Sequence, residues 1–397
     1  MLECLMKTLC SLPFTNLDFL PNGDVVTCCR AVGFEPLGSF KDESLDDIWN
    51  GEKLKIIREK MLRGEKLSQC EVCYQIEAAG GVSDRLTSLR NHPNAFKETA
   101  ILQEIGLRIS NQCNLSCRMC TPEFSTNWYK DKDLHHGSYV EPKKLMLAPD
   151  FKKFLKELEI HLPHITRIYF AGGEPLLTPE HYELLNFLID HKRTDLSLFY
   201  NSNFTKLSYG QTHVFSLWNK FKKISLSLSL DAHGNKNDYI RHGSSYESII
   251  ENLKEFQKNI KNGESSLFPT VQALNCLSLV ELIDYFLKEK LVKPRDIHFN
   301  LLSDPTFLSL QSLPQSLKVK VEEQLRNYFQ NNLFLNYPPE ESLYVQREFK
   351  SIIHFMNSED HSNLFPKFIN YQLSLDMRWK TQFKDAFPEL DLSPLEL

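Results

Sequence analysis

From residue 105 onward, short β-branched and aliphatic runs alternate with amphipathic stretches, a pattern that predicts strands and helices in succession. IGLRIS (105–110), TRIYFAG (166–172), LSLFYNS (196–202), ISLSLSL (224–230), FPTVQALN (268–275) and DIHFNLL (296–302) are the six candidate strands. Helix starts are readable between them. Thr178 can cap, with Pro179 opening the apolar-spaced YELLNFLIDH; Ser244 with Glu247, and Ser278 with Glu281, have capping-box spacing. Strand then helix, repeated over about 200 residues, predicts a parallel α/β sheet or barrel. In the fourth run, Ile224, Leu226, Leu228 and Leu230 point one way and Ser225, Ser227 and Ser229 the other. A filled barrel carries bulky side chains inside, so a serine-lined inner face suggests an occupied cavity. A half-exposed antiparallel strand would show the same alternation.

Residues 1–100 have a different texture, with turn-rich segments, the short helix SLDDIWNGEKLKIIREKML and paired cysteines but no α/β alternation. This reads as a small domain held by something other than a large core. Residues 306–397 are aromatic, polar and mainly helical by pattern, which divides the chain into 1–100, 101–305 and 306–397. No internal repeat or low-complexity segment appears. The 397 residues are 42% hydrophobic, and a formal charge of −5 argues against a general nucleic-acid or anionic-membrane surface. MLECLMKTLCSLPF lacks the apolar run of a signal peptide. The longest charge-free apolar stretch, Leu267 to Val280, has 14 residues and falls short of a bilayer span. The expected location is the cytoplasm.

Ten cysteines in a reducing compartment point to metal or redox chemistry more than to disulfides, and nine of them lie within residues 1–120. Directly after the first candidate strand, CNLSCRMC places Cys113, Cys117 and Cys120 in C-x3-C-x2-C spacing. Three thiolates on one tight loop match three corners of a [4Fe–4S] cube. Full ligation takes four, so one iron keeps an open position, the mark of a catalytic metal site. A zinc loop completed by a distant residue such as His135 or His136 fits the same spacing.

CNLSCRMC, followed by AGGEP at the end of the second candidate strand, resembles the radical S-adenosylmethionine (SAM) superfamily over about residues 101–305. The resemblance implies an α/β fold, a partial (β/α)6 barrel, in which SAM chelates the unique iron through its amino and carboxylate groups. It implies that Gly172, Gly173, Glu174 and Pro175 bind the SAM amino group, Glu174 offsetting the ammonium charge. Asn201 and Asn203 in YNSNFT, Ser229 and Asp231 at the end of the fourth strand, and Arg241 in NDYIRHG are the further SAM-binding candidates. The Arg241 fork suits a carboxylate. Taken alone, GGEP can be a strand-ending turn and the others surface or capping residues. One departure is Met119 before the third cysteine, where the family commonly carries an aromatic residue.

Cys10, Cys28, Cys70 and Cys73 form a second set, C-x12-G-x4-C followed by C-x2-C, with Gly23 in the turn PNGD. Four thiolates are the complement of a fully ligated cluster. The arrangement resembles the auxiliary iron–sulfur domains called SPASM and twitch, found on radical SAM maturases that modify peptides and proteins. It departs from them by preceding the barrel and by lacking the cysteines of a second auxiliary cluster, so one auxiliary [4Fe–4S] cluster is expected. A four-cysteine zinc knuckle fits the same spacing. Cys29 can exchange with Cys28 as ligand, while Cys4 and Cys276 read as inert thiols.

These readings combine into an enzyme that reductively cleaves SAM to a 5′-deoxyadenosyl radical for hydrogen abstraction, an oxidoreductase or maturase acting on a peptide or protein. A reductase, flavodoxin or ferredoxin would supply electrons. A zinc-stapled binding module and an iron–sulfur electron carrier are the rival readings. Tyr200, His298 and Asn300, at strand ends, are candidates to line the substrate side. His135 and His136 read as solvated loop residues, and Asp376 and Arg378 in LDMRW as a pair in a tail that closes the open side of the barrel.

Overall fold

Eight strands make one sheet, and the row of residues each contributes explains why it forms. In chain order they are β1 (Asn16–Phe19), β2 (Asp24–Val26), β3 (Gly38–Ser39), β4 (Glu104–Leu107), β5 (Arg167–Phe170), β6 (Ser197–Ser202), β7 (Lys223–Leu228) and β8 (Gly263–Leu267). Their spatial order is β8-β7-β6-β5-β4-β1-β2-β3. In this computed structural model, which describes residues 8–78, 80–96, 99–136 and 143–390, Phe19, Leu107, Phe170, Tyr200 and Leu226 stand side by side across five strands. All five are fully buried. One position back, the row is Asp18, Gly106, Tyr169, Phe199 and Ser225, which points to the opposite face. The sheet is therefore apolar on its helix side and polar on its inner side, and the serine alternation of β7 is one part of that pattern.

The apolar face is covered by helices whose spacing accounts for them. The first, α1 (Phe151–His161), buries Phe151, Phe154, Leu155 and Leu158, a single stripe at helical period, and starts at Asp150, whose carboxylate accepts from the Lys152 and Lys153 amides. Phe154 meets Phe19 edge-on at 5.4 Å. The next three are α2 (Pro179–Asp190), α3 (Tyr246–Asn259) and α4 (Leu279–Lys288). Their caps differ from the expected ones. Thr178 Oγ1 donates back to Pro175 O at 2.9 Å, Ser278 makes no cap bond, and α3 is capped by Ser245, because Ser244 Oγ donates to Asp238 at 2.6 Å.

Strands β4 to β8 run parallel, the partial barrel anticipated from the alternation. Two strands lie elsewhere than expected. The fifth is GESSL (Gly263–Leu267), while the 268–275 segment pairs only at Thr270–Val271. The sixth, expected over 296–302, shrinks to Asn300–Leu301 and a bridge from Ile297 to Leu267. GESSL has poor strand propensity and is drawn into the sheet by its neighbour β7.

The N-terminal segment extends the same sheet and also keeps a small buried cluster of its own, Leu9, Cys10, Phe14 and Met61. β1 lies parallel to β4, β2 and β3 follow in antiparallel order, and Leu17, Phe19, Val25, Phe40, Leu45, Ile48, Trp49 and Leu54 join the same core as the barrel. Gly106 makes this pairing feasible: a Cβ there would lie 2.2 Å from Asp18 Oδ1. The C-terminal region is helical as expected, with α5 (Gln315–Tyr328), α6 (Pro339–Ser358) and α7 (Phe365–Trp379). No helix among the described residues is long and apolar enough to cross a membrane.

Candidate functional site

The chain leaves β4 into a loop organised by one asparagine. Asn111 is wholly buried. Its Nδ2 donates to Tyr129 Oη at 2.7 Å, its Oδ1 accepts from Leu145 N at 2.9 Å, and its carbonyl accepts from Thr126 N at 3.0 Å. Both flanks of CNLSCRMC are thus tied to one residue. Inside the loop, Cys120 N and Trp128 Nε1 both donate to Cys117 O, at 2.9 and 3.1 Å, and Ser125 Oγ donates to Leu115 O at 2.6 Å. Cys117 pairs antiparallel with Arg241. Burial and then the neighbouring Cys117 hold the Cys113 thiol up at about 12; burial, then Cys117 and Cys113, raise Cys120; burial raises Cys117 against the opposing charge of Arg241. Thiols that oppose one another's ionisation in this way become ligands only when a cation drives off their protons.

GGEP closes over this loop. Gly173 sits at φ +52°, and a Cβ on it would lie 2.5 Å from Gln112 O and 2.6 Å from Ser110 O, so only glycine lets the two turns touch. Glu174 N then donates to Gln112 O at 2.8 Å. The Glu174 carboxylate is buried and accepts from Asn203 N and Ser202 Oγ, both at 2.8 Å, and from Leu176 N at 3.2 Å. Burial lifts it to about 7 against those hydrogen bonds. Asn203 Nδ2 lies 3.7 Å from Cys113 Sγ, whereas Asn201 Nδ2 donates to Tyr169 Oη at 2.8 Å, farther down the inner face.

Arg241 and Asp231 form the other wall. Arg241 Nη2 donates to Asp231 Oδ1 at 3.1 Å, Nε lies 2.8 Å from Oδ2 off the hydrogen-bond axis, and Nη1 is 3.8 Å from Cys117 Sγ. Asp231 also accepts from Thr270 N at 2.8 Å, and Asn275 Nδ2 holds its carbonyl at 2.8 Å. Ser229 is half-buried on the serine face, its amide donating to Ser202 O at 3.0 Å.

Cys10, Cys28, Cys70 and Cys73 meet on the flank beside β1. Burial raises Cys10 to about 11, with Cys73 adding; burial raises Cys70 to about 12, with Cys10 and Cys73 adding; burial, then Cys29 and Cys10, raise Cys28. Cys29 is raised to about 12 by burial and then by Asp84 and Asp18, and Asp18 acts on Cys28 as well. Cys4 lies outside the described residues. Cys276 is buried, its thiol donating to Ala273 O at 3.1 Å.

The Radical SAM superfamily model matches residues 107–273, and the iron–sulfur cluster-binding domain SPASM matches residues 10–74. Residues 107–273 are thus similar to the radical SAM superfamily. The radical SAM domain implies a [4Fe–4S] cluster and SAM, and the SPASM domain an auxiliary iron–sulfur cluster. Native anSMEcpe with bound AdoMet is similar at a TM-score of 0.43 and 16% identity, covering 59% of this chain and 62% of that one. Streptococcus suis SuiB is similar at 0.39 and 14%, covering 79% and 68%, and SuiB bound to precursor peptide SuiA at 0.40 and 16%, covering 70% and 58%. This chain therefore spans about three fifths of the length of anSMEcpe. No curated protein matches it.

The donor sets suit radical SAM cofactors. Among the described residues no three His, Cys, Asp or Glu side chains converge on a single-ion position. Cysteines are the thiolate donors that an iron–sulfur cluster takes, and all seven candidates are free thiols. Several residues differ from their expected places. Tyr200 is fully buried on the helix side, where its hydroxyl meets His181 Nε2 at 2.9 Å, so it does not line the inner face. His136 is half-buried, packed edge-on against Tyr371 at 5.8 Å and Phe307 at 6.1 Å. Asp376 pairs with Arg118 and Arg378 with Asp131 and Asp133, not with each other. His298 is half-buried and shares a 2.6 Å hydrogen bond with Tyr344, and Asn300 pairs with Thr270. Asn111, Arg118 and Asn275 carried no sequence signal, because each is identified by partners distant in the chain.

Proposed function

We propose that this radical SAM enzyme abstracts hydrogen from a side chain of a peptide or protein, using electrons from a flavodoxin, ferredoxin or reductase in the cytoplasm. The observation that carries the reading is one polar face bounded by two thiol sets. It begins at Asp18, whose charge acts on Cys28 and Cys29, crosses the Tyr169–Asn201 hydrogen bond, and ends at Asn203 beside Cys113 Sγ. In this reading Cys113, Cys117 and Cys120 hold three irons of the SAM-binding cluster within residues 101–305, and Cys10, Cys28, Cys70 and Cys73 hold the auxiliary cluster within 1–100. When bound, the first cluster supplies the electron that splits SAM into methionine and a 5′-deoxyadenosyl radical.

The chain's own residues do the rest. Asp231 keeps Arg241 charged and oriented for a carboxylate. The backbone of Gly172–Pro175 offers the amino group a site whose depth is set by Glu174, itself anchored to β6 and the segment after it. Ser229 and Asn201 present hydroxyl and amide groups to the inner space. Burial lowers the pKa of His298 and favours its neutral ring, which shares a hydrogen bond with Tyr344. Four protein thiolates leave the auxiliary set no position for substrate, so its task is electron transfer or positioning.

The test uses anaerobically reconstituted protein with SAM and dithionite. Wild type releases 5′-deoxyadenosine, and the Cys113→Ala/Cys117→Ala/Cys120→Ala variant releases none. Co-expression with short reading frames adjacent to its gene yields a peptide whose mass has fallen by a pair of hydrogens. Release of deoxyadenosine by the triple variant sinks the assignment.

A further inference from the structure

Arg118 stands between the second and third cysteines of the loop, yet its side chain points away from them and is completely buried. Nε donates to Tyr239 O at 2.9 Å, Nη1 to Gln372 Oε1 at 2.9 Å, and Nη2 to Asp376 Oδ1 at 2.7 Å and Thr381 Oγ1 at 2.9 Å. The guanidinium lies 3.6 Å from the Tyr239 ring centroid and 5.2 Å from that of Trp379. Its backbone is held as well: the amide donates to Ile240 O at 2.9 Å, and the carbonyl accepts from Tyr371 Oη at 2.9 Å. Gln372, Asp376, Tyr371, Trp379 and Thr381 all belong to α7 or the turn that follows it.

The same helix reaches Cys117 by a second route. Trp379 donates from Nε1 to Asp131 Oδ2 at 2.9 Å, stacks on His242 at 4.1 Å and 5°, and lies 5.2 Å from Trp128, the indole that donates to Cys117 O. His242 is paired with Ser116 in the short ladder that also pairs Arg241 with Cys117. The loop is therefore gripped from both the Cys117 and the Arg118 peptides by one C-terminal element.

We propose that α7 is a clamp that positions the cluster-binding loop, with Arg118 as the positioning residue and Asp376 its counter-charge. The inference rests on the reading of Cys113, Cys117 and Cys120 as cluster ligands. A buried guanidinium without its carboxylate is strongly disfavoured, so the loop reaches its ligating geometry only after residues 371–381 have docked. Those residues are synthesised long after the loop, so cluster insertion waits for them. The clamp also covers the outer side of the loop and so limits access to the irons held there.

The test compares holoenzyme of wild type, Asp376→Asn, Tyr371→Phe and Asp376→Glu, each first shown to have wild-type circular dichroism. The first two substitutions remove a charge or one hydrogen bond at nearly constant volume, and Tyr371→Phe, which strands no buried charge, keeps the test open where Asp376→Asn fails to fold. Two quantities are read: the rate at which an iron chelator strips the SAM-binding cluster, with the auxiliary cluster as internal control, and the change in the electron paramagnetic resonance spectrum of the reduced cluster on adding SAM. Asp376→Asn strips at least tenfold faster and loses most of the SAM-induced change, Tyr371→Phe lies between it and wild type, Asp376→Glu recovers, and the auxiliary phase is unmoved. Wild-type stripping rates and an unchanged SAM response in Asp376→Asn overturn the clamp alone. A wild-type loop that takes up no iron overturns the functional reading and the clamp with it.

Discussion

His181 shows how burial by itself sets a protonation state. The ring is completely buried, one nitrogen meets Tyr200 Oη at 2.9 Å and the other has no partner, and desolvation pulls its pKa from 6.5 down to about 3. The folded chain thus refuses a proton that the unfolded chain accepts. Its contribution is complete above pH 6.5 and is lost as pH falls from there toward 3, a decline of about 2 kcal/mol between pH 6.5 and 5. His181→Gln keeps a partner for Tyr200 but cannot titrate, so urea unfolding of that variant shows a shallower loss of stability over the same range; parallel curves would refute the assignment. Nothing in the local sequence marks His181. Cysteine spacing was legible because ligands on a tight loop must be close in the chain, whereas Asn111, Arg118, His181 and Asn275 take their roles from partners brought in by the fold. Tyr200 departs from its expected place for a related reason: alternation within β6 shows that its residues face two ways, but only the register with Phe170 and Leu226 shows which way is inward.

Among the elements, amphipathic helices were the most legible, since α1 carries its burial stripe in its own sequence, and the least legible were strands defined by neighbours. GESSL and NLDF have little strand character, and each is a strand because an edge of the sheet is open beside it. The attachment of β1 to β4 rests partly on one ion pair. Asp18 Oδ1 lies 2.8 Å from Arg108 Nη1, and both side chains are less than a tenth exposed. Asp18→Asn leaves a buried guanidinium without its counter-charge and is expected to cost about 3–5 kcal/mol. The double variant Asp18→Asn/Arg108→Met removes the stranded charge and recovers most of that loss in denaturant unfolding, a non-additivity that identifies the pair as coupled. Additive losses would show that β1 is held by its apolar row alone.

For the molecule as a whole, the arrangement of the parts matters more than their identity. The motifs predicted a barrel and a separate cysteine-rich domain. The sheet runs on from the barrel into β1–β3, while Cys10 packs with Leu9, Phe14 and Met61 in a small cluster of its own, with Cys70 against it. Two thiol sets held in different parts of the fold argue for a division of labour that can be separated experimentally. A three-thiolate and a four-thiolate set call for about eight irons per chain in reconstituted protein. Cys70→Ser/Cys73→Ser should retain about four and, because Cys113, Cys117, Cys120 and Arg241 are untouched, should still release 5′-deoxyadenosine from SAM without substrate. With a peptide substrate identified by co-expression, the same variant should produce deoxyadenosine but no modified peptide, since the flank beside Asp18 and Cys29 then lacks its cluster. A folded Cys70→Ser/Cys73→Ser protein that modifies the peptide at the wild-type rate would make the auxiliary set a structural staple, and uptake of zinc in place of iron at that set in the wild type would do the same.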